Sequence, residues 1–177
     1  HKGGVSSVAF HPTDSMVASV GNDDKLKVWS VKTGALLYSF NVKGKYRGTH
    51  IQFDETGRYL IRKADQKYFE LFKLDKSKSK KLSVDGGIDY QFAADGEKIL
   101  FQTRKGFVIY NSVTLKEEIA YPLEGIKDFS VSGDKIIATG KFGIRLFNLN
   151  FSDLGQIQDN QGIDRIYLTP DGNSAIG

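Results

Sequence analysis

The stretch VSSVAFHPTDSMVASVGNDDKLKVW, residues 5–29, decides the fold. It reads as three short β-rich runs separated by turn chemistry. Val5 to Phe10 is followed by the turn His11-Pro12-Thr13-Asp14-Ser15, Met16 to Val20 by Gly21 to Asp24, and Leu26 to Trp29 ends on the only tryptophan of the chain. Lys32-Thr33-Gly34 supplies another turn before a fourth run, Ala35 to Phe40. Glycine, proline, asparagine and aspartate punctuate strands because they satisfy the dihedral and hydrogen-bond demands of tight turns. Residues 1–41 therefore form one four-stranded antiparallel unit.

The unit recurs. Trp29, Phe72, Tyr110 and Phe147 each end a similar hydrophobic run, at spacings of 43, 38 and 37 residues. Phe10, Phe53, Phe92, Val131 and Leu168 form a second ruler, at 43, 39, 39 and 37. A period near 40 with four short strands per unit predicts an all-β fold of β-propeller type, whose blades are four-stranded sheets. The expected blades are residues 1–41, 42–84, 85–123, 124–158 and an incomplete 159–177, about four and a half in all, as part of a larger ring. Runs such as Phe107-Val108-Ile109-Tyr110 are apolar on consecutive positions, which predicts burial on both faces between neighbouring blades. The chain starts at His1 and stops inside an expected strand, so it reads as an internal segment of a longer protein.

Composition excludes several classes of chemistry. The 177 residues are 40% hydrophobic and 12% aromatic, enough for a packed core. Twenty-five Lys and Arg against 21 Asp and Glu leave a net charge of +4, too small by itself to demand a nucleic acid or a membrane. With no cysteine there is neither a disulfide framework nor a thiolate metal site nor a cysteine nucleophile, which is compatible with a reducing, intracellular and cytoplasmic setting. No apolar run approaches the length of a membrane span and no signal-peptide pattern opens the chain. Asn150-Phe151-Ser152 fits a glycosylation sequon, a tripeptide common by chance.

The first unit resembles the WD-repeat family. His1, Gly3-Gly4, the run Val5 to Pro12, Ala18-Ser19, Asp23 and Leu26-Lys27-Val28-Trp29-Ser30 follow that family's pattern almost position by position. The resemblance implies a structural tetrad of His1, Ser19, Asp23 and Trp29, a buried chain in which an imidazole bridges a carboxylate to a hydroxyl that accepts the indole N–H. Ser, His and Asp are also the ingredients of a nucleophilic triad, but no strained nucleophile turn accompanies Ser19, so the expectation is a structural motif and no catalytic residues. Later units depart from the pattern. The histidine position becomes Gly44, Ser83 and Pro122, the aspartate position becomes Gln66, Arg104 and Lys141, and Thr139 is expected to retain the hydroxyl. Units two to four are thus expected to rely on apolar packing more than on a polar chain.

Sorting charge by loop points to a candidate binding surface. The loops after the fourth strands and between the second and third strands carry Lys43, Lys45, Tyr46, Arg47, Lys63, Lys67, Arg104, Lys105 and Lys141, diluted by Asp24, Asp65 and Asp85. The turns between first and second strands carry Asp14, Asp54, Glu55, Asp95, Glu97, Asp134 and Asp171. A basic surface with a tyrosine suits a protein or peptide partner, acidic or phosphorylated. The competing reading is an ordinary solubilising surface. Asp75 to Lys81 reads as a solvated hairpin tip. His11 and His50 belong to no metal-ligand spacing, and Gly44 to Gly48 lacks the spacing of a phosphate cradle, so no cofactor or metal is expected.

The expected function is a non-enzymatic protein-interaction scaffold. The alternatives are the recognition or regulatory propeller of a larger enzyme, or binding of nucleic acid or anionic lipid through the basic loops. Exposed blade edges also predict self-association if the ring is incomplete.

Overall fold

The computed structural model describes residues 1–42, 50–65, 67–75, 79–94, 96–157 and 163–177, and these contain only strands, turns and bends. Two compact units emerge, His1–Gly87 and Ile88–Gly177.

In the first unit, β1 (Val5–Phe10), β2 (Met16–Gly21), β3 (Lys25–Ser30) and β4 (Leu36–Asn41) form one antiparallel sheet in sequence order. A second such sheet comprises β5 (Ile51–Phe53), β6 (Tyr59–Lys63), β7 (Tyr68–Lys73) and β8 (Ser79–Ser83). Side chains alternate across a strand, so each sheet has two faces. The face of the first sheet bearing Ala18, Val20, Leu26, Val28 and Phe40 packs on the face of the second bearing Phe53, Leu60 and Phe72. Phe40 meets Phe72 edge to face at 5.1 Å. A side-chain bond adds to this packing, because the Ile51 N–H donates to Ser7 Oγ at 3.1 Å.

The second unit repeats the arrangement. One sheet comprises β9 (Gly87–Ala93), β10 (Lys98–Thr103), β11 (Gly106–Asn111) and β12 (Glu117–Pro122), the next β13 (Ile126–Ser132), β14 (Lys135–Gly140), β15 (Gly143–Asn148) and β16 (Asp153–Ile157). A hairpin of β17 (Tyr167–Leu168) and β18 (Ala175–Ile176) follows. Leu100, Phe107 and Ile109 of one sheet pack on Phe129, Ile136 and Phe147 of the next. Tyr121 stacks on Phe151 with centroids 4.6 Å apart. Gln91 stitches first strand to first strand, donating from Nε2 to Phe129 O and accepting the Val131 N–H at Oε1. Asp128 and Ser130 do the same toward the hairpin, accepting from Ile166 and Leu168 N–H. Burial falls from the second strand outward: β10 is buried over Ile99 to Thr103, whereas β16 is exposed throughout. The continuous apolar runs have this cause.

One sequence expectation needs correction. Thr139 does not occupy the hydroxyl position of Ser19. Ser19 lies opposite Lys27 and Val20 opposite Leu26, whereas Ala138 lies opposite Arg145 and Thr139 opposite Ile144. Ala138 is therefore the counterpart of Ser19, and Thr139, fully buried, points to the other face and donates to Ile163 O at 3.5 Å. The second sheet adds one buried ion pair to its apolar packing. Arg62, at the Ser19 position, lies opposite Glu70 and donates from Nε to Oε2 at 2.7 Å. Both side chains are buried, 3% and 7% exposed.

Candidate functional site

In the first blade, four side chains form one hydrogen-bonded chain. The Trp29 indole N–H donates to Ser19 Oγ at 2.8 Å, Ser19 Oγ lies 2.7 Å from His1 Nε2, and His1 Nδ1 lies 2.6 Å from Asp23 Oδ1. An indole can only donate and a carboxylate can only accept. With a neutral imidazole the chain has one consistent direction: Ser19 donates its proton to Nε2, and Nδ1–H donates to Asp23. Asp23 also accepts from the Lys2 N–H at 3.1 Å and from Lys27 Nζ at 3.2 Å. Burial opposes its charge, but the Lys2 amide and the Lys27 ammonium outweigh that, and its carboxyl is held below the ordinary value of 3.8. Lys27 Nζ is also 5.6 Å from the Trp29 ring centroid.

The atoms that meet here are those of a Ser-His-Asp triad, and the surroundings give them different work. Ser19 is buried within β2, and its oxygen already accepts the indole N–H. What the chain does is tie the residues before β1 to the β2–β3 turn and to the third strand.

His11, read from sequence as an isolated turn residue, holds two turns together. Its Nδ1 accepts the N–H groups of Thr13 and Asp14, at 3.3 and 3.0 Å, which leaves Nε2 to donate to Gly57 O at 3.0 Å. The β1–β2 turn is thereby fixed to the β5–β6 turn. Among the described residues no cluster of three or more His, Cys, Asp or Glu side chains could hold a metal ion.

The basic candidates have different fates. Lys43, Lys45, Tyr46 and Arg47 lie outside the described residues. Lys63 is engaged within its own unit, donating to Gly87 O at 2.8 Å with its ammonium 5.8 Å from the Phe69 ring centroid. Lys67 is exposed on the β6–β7 turn, its carbonyl accepting the Val84 N–H. Arg104, Lys105 and Lys141 are exposed and form no ion pair with another described residue. Other basic groups of the second unit are occupied, as in Lys98–Glu118, Lys127–Asp164 and Arg145–Asp153.

The backbone brings those three free cations to one end of the second unit. The Leu123 N–H donates to Lys105 O at 3.1 Å and the Lys141 N–H to Gly125 O at 3.3 Å. The segment joining β12 to β13 therefore lies between the β10–β11 and β14–β15 turns and holds both. Glu124 in that segment is exposed and tempers the charge.

Several acidic turn residues are less available than their sequence positions suggest. Asp54 is fully buried and accepts from the Tyr59 N–H at 2.6 Å, the Thr56 N–H at 3.3 Å and the Thr56 hydroxyl. Asp171 accepts from Thr169 Oγ1 and the Asn173 N–H, bonds that hold its carboxyl below the ordinary 3.8. Such carboxylates shape turns. Asp95 lies outside the described residues.

Two comparisons with known proteins bear on these features. The family pattern described as "WD domain, G-beta repeat" matches residues 1–30, the stretch that contains the whole hydrogen-bonded chain and the first three strands. A protein of Dictyostelium discoideum described as "TSET complex member tstE" is 29% identical over 70 residues, covering 34% of this chain and 5% of that protein. The match and the repeated four-stranded antiparallel sheets agree: the chain is similar to WD-repeat proteins, most clearly in its first blade.

Proposed function

We propose that this chain is a protein-binding scaffold, a subunit of a larger assembly that performs no chemistry itself. In such a module rigid sheets hold turns at fixed positions and the turns meet the partner. The observation that carries the reading is the contrast within the second unit: Arg104, Lys105 and Lys141 form no ion pair with another described residue, on turns whose backbone is hydrogen-bonded to the Leu123–Gly125 segment. Exposed cations on a fixed backbone attract an acidic or phosphorylated segment at little ordering cost. The likeness to a protein described as a complex member supports an assembly role, and the cysteine-free sequence suits an intracellular one. Among the described residues no helix is long and apolar enough to cross a membrane.

Affinity capture with the purified chain tests this. Reversing Arg104, Lys105 and Lys141 together to glutamate should remove the captured partner and flatten the salt dependence of whatever remains. Lys116→Glu, on the β11–β12 turn, should leave capture intact. Undiminished capture by the triple variant would sink the assignment, and loss dependent on added nucleic acid would favour a nucleic-acid ligand.

A further inference from the structure

The outer edges of the four complete sheets differ in how they are protected. An edge strand presents unpaired N–H and C=O groups to any extended chain, and proteins usually blunt it with charge, proline or glycine. β8 carries Lys80 and Lys81, β12 carries Glu117, Glu118 and Pro122, and β16 carries Asp153 and Gly155. β4 carries none of these. Its sequence Leu36-Leu37-Tyr38-Ser39-Phe40-Asn41 is uncharged, rich in residues that favour strands, and flanked by Ala35 and Val42. Leu36, Leu37 and Tyr38 are 48%, 44% and 39% exposed. Among the described residues no strand pairs with the outer side of β4.

The direction of its backbone groups follows from the ladder. The Val42 N–H donates to Asp24 O, and Phe40 and Tyr38 lie opposite Leu26 and Val28. Bonding alternates along an antiparallel strand, so Val42, Phe40 and Tyr38 direct their N–H and C=O groups at β3, while Ser39 and Asn41 direct theirs off the sheet. A register irregularity at Trp29/Leu36 marks the start of β4, leaving Tyr38 to Asn41 as its regular part.

We propose that β4 pairs antiparallel with β4 of a second copy of this chain, about a two-fold axis at Ser39. The charge pattern selects this occupant. Self-pairing of β8 about its outward Lys81 would oppose lysine to lysine, which is destabilising, and self-pairing of β12 would oppose glutamate to glutamate about Glu118 or, about Ala120, set Glu118 against Pro122, which has no N–H to give. Self-pairing of β4 opposes no like charges, and the nearest cation on β3, Lys27, is already paired with Asp23. With Ser39 facing Ser39, Tyr38 of each chain lies opposite Phe40 of the other. These two rings already stack within one chain, with centroids 6.5 Å apart, so the two-fold would assemble four aromatic rings on one face. A two-fold interface closes on itself and does not propagate.

The test uses the whole chain in analytical ultracentrifugation, with light scattering as a second measure of mass. The expected result is a reversible dimer whose Kd rises at least about tenfold in Ser39→Pro, because that N–H serves no bond inside the blade. The control is Ala120→Pro on β12. Leu123 N–H bonds Lys105 O, and Tyr121 and Ile119 face Phe107 and Ile109, so Ala120 also points outward. This variant should dimerise as the parent does. Independently of how the proline variants fold, the absence of native cysteines allows a cross-link. Paired residues in a hydrogen-bonded antiparallel register have Cα atoms about 5.5 Å apart, inside the span of about 4.4–6.8 Å that a disulfide bridges. Ser39→Cys should therefore yield a covalent dimer under a mild oxidant, and Ala120→Cys should not. A chain that stays monomeric at all concentrations, a dimer that survives in a folded Ser39→Pro, open-ended aggregates, or equal cross-linking by the two cysteine variants would each overturn the proposal.

Discussion

Replacing Glu70 by leucine should be among the most damaging single changes in the first unit, and pairing that change with a second should undo it. Glu70 and Arg62 face each other across β6 and β7 at 2.7 Å, with only 7% and 3% of their side chains exposed. The strands around them are apolar, with Leu60, Ile61, Phe69, Leu71 and Phe72 buried beside the pair. Removing the carboxylate leaves a guanidinium that cannot deprotonate and has little route to water. Breaking a buried ion pair by removing one charge costs about 3–5 kcal/mol, against a total stability of about 5–15 kcal/mol for a domain. Urea unfolding followed by Trp29 fluorescence reports this unit, since Trp29 is the only tryptophan and lies on its first blade. With a slope of about 2 kcal/mol per molar urea, the midpoint should fall by roughly 1.5–2.5 M. Arg62→Met combined with Glu70→Leu removes both charges and should return stability to within about 1 kcal/mol of the parent. A loss below about 1 kcal/mol for the single variant, or a double variant no better than the single, would refute the reasoning.

Gly57 has φ +71, and a Cβ there would lie 1.9 Å from His11 Nε2, whereas Gly34, also at φ +71, has nothing within 4 Å. Gly34→Ala should therefore cost only the left-handed backbone penalty of about 1–2 kcal/mol, and Gly57→Ala should exceed it by a further ~1–3 kcal/mol of overpacking, a contrast that urea midpoints will read. Ser19→Ala strips the acceptor from the Trp29 indole and the donor from His1, for an expected loss of about 1–3 kcal/mol and an altered Trp29 emission. Acid should destabilise the fold. Asp23 is held low by its Lys2 and Lys27 contacts despite burial, Glu118 by Lys98 and Asn111, Asp153 by Arg145 and the Gly155 N–H, and Asp171 by Thr169 and the Asn173 N–H. Each binds a proton less readily folded than unfolded, so their contribution is complete above about pH 5 and is lost as pH falls through the ordinary values and below. A melting temperature that stayed flat from neutral to pH 3 would contradict this.

Much of the fold was legible because its signals are periodic. The aromatic that ends each third strand lies at a fixed place in the packing, as Phe72 and Phe147 do, and the turn residues between strands are chemically distinctive. Thr139 was misplaced because a hydroxyl residue in a matching local pattern does not fix the ladder register. Ala138-Thr139 resembles Ala18-Ser19 as sequence, but Thr139 lies one place beyond the ladder position of Ser19, and one residue of shift moves a side chain to the opposite face. The Arg62–Glu70 pair could have been found by the same ladder, from two opposite charges inside otherwise apolar runs. Lys63 and Lys67 look alike as sequence, but only a structure separates an ammonium committed to a carbonyl from one left in water.

That separation governs what the molecule has left for recognition. Hydrogen-bonding groups spent on blade architecture are unavailable to a partner, and in this chain many of the conspicuous ones are spent: the tetrad on the first blade, His11 on two turns, Asp54 and Asp171 on their own turns, Gln91, Asp128 and Ser130 on neighbouring strands. Two kinds of unspent group among the described residues carry the proposals. One is the set of cations on the turns of the second unit, which would select a partner by charge and lose it to salt. The other is the row of backbone groups along β4, which would select an extended strand by hydrogen bonding with little dependence on salt. Measuring capture and self-association of the same chain at low and high ionic strength therefore separates the two surfaces: charge reversal at Arg104, Lys105 and Lys141 should change only the first, and Ser39→Pro only the second.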